Sequence, residues 1–186
     1  MKIIGINGSP RPQGNTAKLL SAFLDGASGG GAATAAYFLE GLRLHGCVSC
    51  MACKSNDGFC AIDDDMQKIY AEIQAASALM LAFPLYMWQM TAQTKLLVDR
   101  LYAFLRPDFT NLLRGEKKLL LGVTQGNPDA EKFKPYLANT AAMLKFVGFN
   151  VVDVIVVAGT RDTADIEKQT AKLAQAREWG EKLAQA

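Results

Sequence analysis

Two stretches hold residue types at spacings that can do chemistry. The first is Gly5-Ile6-Asn7-Gly8-Ser9-Pro10-Arg11-Pro12-Gln13-Gly14-Asn15-Thr16. An apolar run from Ile3 to Ile6 leads into it, and Ala17, Leu19, Leu20, Ala22, Phe23 and Leu24 follow at helical spacing. A turn placed between a strand and a helix meets the first free N–H groups of that helix, where an anion is stabilised. Ser9, Asn15 and Thr16 add hydroxyl and amide groups, and Arg11 adds a fixed positive fork. Gly8 and Gly14 permit backbone geometries that a Cβ forbids, while Pro10 and Pro12 stiffen the loop. The stretch lacks the Gly-Lys-Ser/Thr ending of ATP-type loops and the G-x-G-x-x-G of dinucleotide loops. It also has no thiol to act as a nucleophile. It reads as a loop that grips a phosphate monoester without attacking it, against the plainer reading of a Gly/Pro-rich turn with a capping serine.

The second stretch holds every cysteine of the chain: Cys47, Cys50 and Cys53, with two residues between each and the next, and then Cys60. Three thiolates at this spacing can converge on one centre, and the segment from Lys54 to Phe59 can return a fourth. Four thiolates meet the demand of one [4Fe–4S] cluster. Tetrahedral zinc is an alternative, although structural zinc sites usually draw on two separated pairs, and four free thiols are another. A secreted disulfide framework would spread its cysteines, so this crowding suggests metal or redox chemistry in a reducing cytoplasm. His45, the only histidine, has no partner for an acid/base relay and is given no role.

A third segment is unusual for a loop. Pro84-Leu85-Tyr86-Met87-Trp88-Gln89-Met90 concentrates flat and polarizable groups where loops are normally polar. A flat aromatic ligand would stack there; a subunit contact would use the same residues.

Together these segments resemble the flavodoxin-like NAD(P)H-dependent FMN reductases, nearest their iron–sulfur flavoprotein branch. Gly8-Ser9-Pro10-Arg11-x-x-Gly14-Asn15-Thr16 looks like that family's FMN phosphate loop. The segment from Pro84 to Trp88, with Met90-Thr91-x-Gln93-x-Lys95-x-x-x-Asp99-Arg100 behind it, looks like the part lining the ribityl chain and isoalloxazine. Thr124-Gln125-Gly126 looks like the loop over the other side of the ring. The resemblance implies FMN as cofactor, held by Ser9, Arg11, Gly14, Asn15, Thr16, Pro84, Leu85, Tyr86, Met87, Trp88, Thr124 and Gly126. It implies a transient NAD(P)H or ferredoxin-like donor, and helix and subunit contacts for Lys95, Asp99 and Arg100. It also implies a homodimer or homotetramer, and a cluster on Cys47, Cys50, Cys53 and Cys60 that exchanges single electrons with FMN. Trp88 departs from the pattern, being bulkier than the small residue expected there.

The elements that must position these loops alternate. Strands are predicted at Lys2–Ile6, Ala35–Leu39, Ala78–Phe83 (stopping at Pro84), Leu119–Val123 and Val151–Val157. Helices are predicted from Asn15 to Asp25, from Asp63 with its acidic residues as cap, from Thr91 to Phe104, from Lys132 to Phe146, and from Asp162 onward. Gly26 to Gly31 reads as a flexible joint. Such alternation predicts parallel βαβ units with right-handed crossovers. The expected fold is an α/β, flavodoxin-like, doubly wound five-stranded parallel sheet of order 2-1-3-4-5 with helices on both faces, one domain over residues 1–186. The loops after strands one, three and four would meet at its carboxyl edge.

Composition narrows the partners. Lys plus Arg number 20 against 18 for Asp plus Glu, and no basic run is present, which argues against nucleic acid. No apolar stretch reaches the about 20 residues of a membrane span, and no signal peptide is visible. The expected activity is that of an FMN-dependent oxidoreductase moving electrons between a reduced donor and a small acceptor. An FMN electron carrier that serves protein partners, or a flavin-free interaction protein, would reuse the same loops.

Overall fold

Three continuous apolar runs are too short for helices, and they form the centre of a sheet. In the computed structural model, which describes residues 1–186, these are β1 (Lys2–Asn7), β3 (Ala78–Tyr86) and β5 (Lys118–Thr124). Each is buried along most of its length, as strands covered on both faces must be. The flanking strands β2 (Ala33–Phe38) and β6 (Asn150–Val157) are more exposed. The order is β2-β1-β3-β5-β6, all parallel, with Ile4 opposite Ala35 and Leu79, and Leu81 opposite Leu121. Counting only parallel strands, this is the order expected from the sequence. A short β4 (Gln89–Met90) adds an antiparallel pairing to the end of β3.

Alternate residues of each strand feed two cores. One face carries Ile4, Ile6, Leu79, Leu81, Leu121 and Val123 against α3 (Met66–Ala75), α4 (Ala92–Arg100) and α5 (Lys134–Val147). The other carries Ile3, Met80, Leu120, Ile155 and Val157 against α1 (Asn15–Gly29) and α6 (Thr170–Ala184). Another short helix, α2 (Ala52–Ser55), is the one helical turn inside the cysteine loop. No helix is long and apolar enough to cross a membrane.

Three expectations are corrected. The glycine run is no joint, because α1 continues to Gly29. A Cβ on Gly26 would strike the Arg177 carbonyl, and one on Gly180 would strike the Phe23 carbonyl. The glycines therefore let the α1 and α6 backbones touch. Strand β3 does not stop at Pro84 but runs on to Tyr86. β1 pairs with it only as far as Ala82, so Pro84 lies where β5 is the one remaining parallel neighbour. The helix begun at Thr91 ends at Arg100 and continues to Phe104 as a 3-10 turn.

Candidate functional site

The first turn of α1 has no side-chain cap; Gly14 occupies that position. The first helical hydrogen bond runs from Lys18 N–H to the Gly14 carbonyl, which leaves the amides of Asn15, Thr16 and Ala17 without acceptors inside the helix. The loop before them is shaped by its own side chains. Asn7 Oδ1 accepts from Ser9 N–H at 2.8 Å, and Ser9 Oγ accepts from Arg11 N–H at 3.1 Å. With Ser9 Oγ serving as an acceptor, its hydroxyl proton is free for a ligand. Gly8 is required by closeness rather than by an unusual φ: a Cβ there would collide with the Thr94 hydroxyl. Thr91 Oγ1 donates to the Gly8 carbonyl at 2.6 Å, so the start of α4 buttresses the loop.

Three loops converge on this helix end. A polar pocket of about 60 Å3 is lined by Ser9, Arg11, Gly14, Asn15 and Thr16 from the first, Pro84, Leu85 and Tyr86 from the end of β3, and Thr124, Gln125 and Gly126 from the end of β5. Thr16 and Thr124 join two of the loops through a 2.8 Å hydroxyl–hydroxyl bond. That bond uses one of two protons and leaves the other for a ligand. Arg11 is the only charged side chain lining the pocket. The volume is far below the about 300–1,000 Å3 that encloses a whole cofactor-sized ligand. The pocket therefore suits one anionic end of a longer molecule, and its chemistry fits a phosphate.

Ten of the residues expected to bind cofactor lie on this pocket, and two do not. Met87 and Trp88 form the tip of the β3–β4 hairpin, with Met87 95% and Trp88 72% exposed. Asn15 lines the pocket, but its side chain is engaged elsewhere: Nδ2 donates to the Asp162 carbonyl at 2.7 Å and Oδ1 accepts from Ile166 N–H at 3.0 Å. Its contribution is the backbone amide. Two lining residues were not among the expected cofactor contacts. Gln125 knits the loop after β5 through its side-chain donors to Asn127 and Asp129 carbonyls, and Thr160 closes the pocket from the loop after β6. Two polar residues shortly after the last strand, Thr160 and Arg161, were the available signal for the second.

The cysteine loop is held at its two ends by one side chain. Arg100, placed by the resemblance among the helix and subunit contacts, is instead buried beneath the loop. It donates to both oxygens of Asp64 and to the His45 carbonyl, while Asp64 accepts from His45 N–H. Asp64, expected to cap α3, does accept from Met66 N–H at 3.1 Å, but it chiefly serves Arg100. Burial alone would push the Asp64 carboxyl up; the hydrogen bonds from Arg100, His45 and Met66 outweigh it and hold the group below its usual range. Lys54 adds a second tether, donating to the Tyr102 and Leu105 carbonyls with its ammonium over the Tyr102 ring. Within this frame Cys47 and Cys50 are exposed, Cys53 is half-buried and Cys60 is buried. No three His, Cys, Asp or Glu side chains lie where one metal ion could join them.

A family model described as flavodoxin-like fold matches residues 1–183. The chain belongs to this flavodoxin-like family. Among curated relatives, an iron–sulfur flavoprotein of Methanosarcina thermophila is 41% identical over 109 residues, which is 59% of this chain and 56% of the relative. The flavodoxin-like chain spans about half the length of the curated relatives it matches. An NAD(P)H:quinone oxidoreductase from Methanothermobacter marburgensis superposes with a TM-score of 0.75 at 19% identity, over 98% of this chain and 96% of the other. An FMN-dependent NADH-azoreductase from Bacillus anthracis, solved with FMN, gives 0.70 at 14% identity, over 99% of this chain and 100% of the other. At these identities the two structures speak for the fold.

Proposed function

We propose that this chain is an FMN-dependent oxidoreductase that takes electrons from a reduced donor, NAD(P)H or a ferredoxin-like protein, and delivers them to a small acceptor. The observation that carries the reading is the pocket at the start of α1, with free amides, spare hydroxyl protons and one arginine. It is sized for the phosphate end of a ligand whose flat part must then lie outside it, toward the exposed hairpin. The relatives' iron–sulfur flavoprotein names and the FMN in the azoreductase structure support the same cofactor.

Bound FMN supplies the redox chemistry, accepting hydride or single electrons. The chain's own residues bind and orient it. Ser9, Arg11 and the amides of Asn15, Thr16 and Ala17 would hold the phosphate, Pro84 to Tyr86 would line the ribityl chain, and Met87 and Trp88 would offer surfaces to the ring. No protein side chain is needed as acid or base. A nicotinamide donor would bind transiently at the open ring face, because the chain has no dinucleotide fingerprint. The cluster expected from the cysteine spacing stands apart from this mechanism. Cys47, Cys50, Cys53 and Cys60 would supply its four thiolates, and no electron path is drawn through them. Homo-oligomerisation, a single domain and a cytoplasmic location belong to the same proposal.

The test is spectroscopic. Purified protein reconstituted with FMN and desalted should keep flavin absorbance, and anaerobic NADH or NADPH should bleach it. Protein that releases all its FMN on desalting would end the proposal.

A further inference from the structure

Few buried side-chain polar atoms of this chain go without a hydrogen-bond partner. Glu72 Oε2 is one, but it meets the Lys2 ammonium at 2.6 Å, which leaves Asn7 Nδ2 and Gln125 Oε1. A native fold tolerates few such atoms, and each needs a reason. Asn7 ends β1, and Gln125 follows the last residue of β5. Both therefore stand at the carboxyl edge of the sheet. Gln125 lines the phosphate pocket there while being only 2% exposed; Asn7 does not line it.

Every other polar group of Gln125 is engaged. Its N–H donates to the Val157 carbonyl, and its own carbonyl accepts from the Thr160 N–H and the Thr160 hydroxyl. Its Nε2 donates to the Asn127 carbonyl at 3.2 Å and to the Asp129 carbonyl at 2.7 Å. Those two bonds settle which end of the side-chain amide is oxygen, since turning it over would set oxygen against two carbonyls. Oε1 is thus a buried acceptor without a donor, on a residue in the wall of a ligand pocket.

We infer that Gln125 Oε1 accepts a hydrogen bond from the ribityl hydroxyl next to the phosphate, and so selects a hydroxylated chain behind the phosphate ester. This rests on the FMN reading above. The groups at the start of α1 are donors: the Arg11 guanidinium, the free amides and the spare hydroxyl protons. They suit phosphate oxygens, which a carbonyl oxygen would repel. Position separates the two tasks. Thr124 bonds to Thr16 of the phosphate loop and lies opposite Pro84 in register. The next residue of each strand, Gln125 and Leu85, also lines the pocket, one step farther along. A space of about 60 Å3 reaches only the atoms adjoining the phosphate, so the ring N–H lies beyond it.

A buried acceptor built for a hydroxyl penalises a ligand that lacks one, because the acceptor is then left unpaired. The test is fluorescence titration at about pH 8, where a phosphate ester with a second pKa near 6 has no proton to give. The probes are FMN and two analogues, one lacking the hydroxyl next to the phosphate-bearing carbon and one lacking the hydroxyl nearest the ring. Wild type should bind the first analogue about tenfold more weakly than FMN, and the second within a factor of about two. Gln125→Met keeps the bulk of the side chain and removes the acceptor, and it should bind FMN and the first analogue alike. That variant also loses the tethers to Asn127 and Asp129, which weakens all three flavins by one factor. The ratio between flavins therefore reports Oε1, and the affinity alone does not. A ratio unchanged from wild type in Gln125→Met overturns the inference. If circular dichroism shows Gln125→Met unfolded, the wild-type titrations still decide. Equal binding of FMN and the first analogue, or rejection of the second alone, overturns the inference and leaves the FMN reading standing. Wild type that binds no flavin overturns both.

Discussion

Arg100 grips both carboxylate oxygens of Asp64, at 2.8 and 3.1 Å, in a place that water does not reach. The same guanidinium holds the His45 carbonyl at 2.9 Å, so residues on either side of the cysteine loop close on one side chain of α4. Removing one member of a buried pair strands the other charge, which costs about 3–5 kcal/mol. Arg100→Ala should therefore lower the urea stability by that order, with Asp64→Asn close behind. The pH dependence has a definite sign. A carboxyl depressed on folding stabilises the native state above its unfolded value near 4, and that contribution is lost as pH falls through the lower folded value. Wild type should weaken on acidification below about pH 4, and Asp64→Asn should flatten that part of the profile. Parallel profiles for the two proteins would contradict this assignment.

Arg11 and Asn15 were equal candidates for the phosphate, and the structure separates them. Arg11 lines the pocket and its guanidinium has no protein acceptor, whereas the Asn15 side chain is spent on Asp162 and Ile166. A charge-assisted hydrogen bond contributes about 1.5–3 kcal/mol, so Arg11→Ala should weaken FMN about tenfold to a hundredfold and leave riboflavin, which has no phosphate, unchanged. Asn15→Ala should instead lower stability by about 1–3 kcal/mol while FMN affinity stays within a factor of about two. Fluorescence titration with both flavins, beside urea melts, distinguishes the two roles.

The glycine run makes the difference between a joint and a helix measurable. Gly29 has open space around its missing Cβ, but Gly26 faces the Arg177 carbonyl. Gly29→Ala should be neutral or stabilise by up to about 1 kcal/mol, because alanine is the better helix former. Gly26→Ala should destabilise by about 1–3 kcal/mol by forcing α1 and α6 apart. Equal effects at the two positions would mean that the close crossing does not matter.

The sheet was legible because its central strands are continuous apolar runs with turns at both ends. The phosphate pocket was legible because strand, turn and helix are contiguous in sequence. What escaped was everything decided by distant partners. Gly26 and Gly180 look like helix weaknesses until the two helices touch. Arg100 looks like a surface residue of an amphipathic helix until Asp64, 36 positions away, folds over it. Pro84 reads as a strand end because local rules cannot reveal that β1 has already stopped pairing at Ala82.

The cysteine spacing predicts four thiolates on one centre, and the fold leaves Cys47 and Cys50 exposed, Cys53 half-buried and Cys60 buried. Iron and acid-labile sulfide measured after anaerobic purification decide whether a metal gathers them. About four irons per chain, with broad visible absorbance lost in Cys53→Ala while FMN binding persists, would establish a [4Fe–4S] cluster on these cysteines. Less than one iron and no zinc would leave four thiols. Ellman's reagent should then find Cys47 and Cys50 fast and Cys60 slow, following their exposure.

The hairpin tip holds the sharpest conflict between local preference and position. Leu85 pairs with Met90 and Tyr86 with Gln89, so Met87 and Trp88 are its two-residue turn, with φ of 45° and 70°. Such turns favour Asn-Gly, since left-handed backbone costs a residue with a bulky side chain about 1–2 kcal/mol. Neither side chain recovers that cost in the core: both are largely exposed, and Trp88 meets Phe133 only at its edge of the site. Strain kept beside a ligand pocket suggests a functional reason for the residues. Replacing them with the favoured pair, Met87→Asn with Trp88→Gly, should therefore raise stability by about 1 kcal/mol or more and weaken flavin binding. The loss should be proportionally greater for riboflavin, which relies on its ring, than for FMN, which keeps its phosphate contacts. Trp88 also supplies a direct signal. The other tryptophan, Trp179, sits on α6 and donates to Asp153, so quenching of emission by bound FMN should largely disappear in Trp88→Phe. A more stable double variant with both flavin affinities unchanged would reduce Met87 and Trp88 to an expensive turn and place the ring elsewhere.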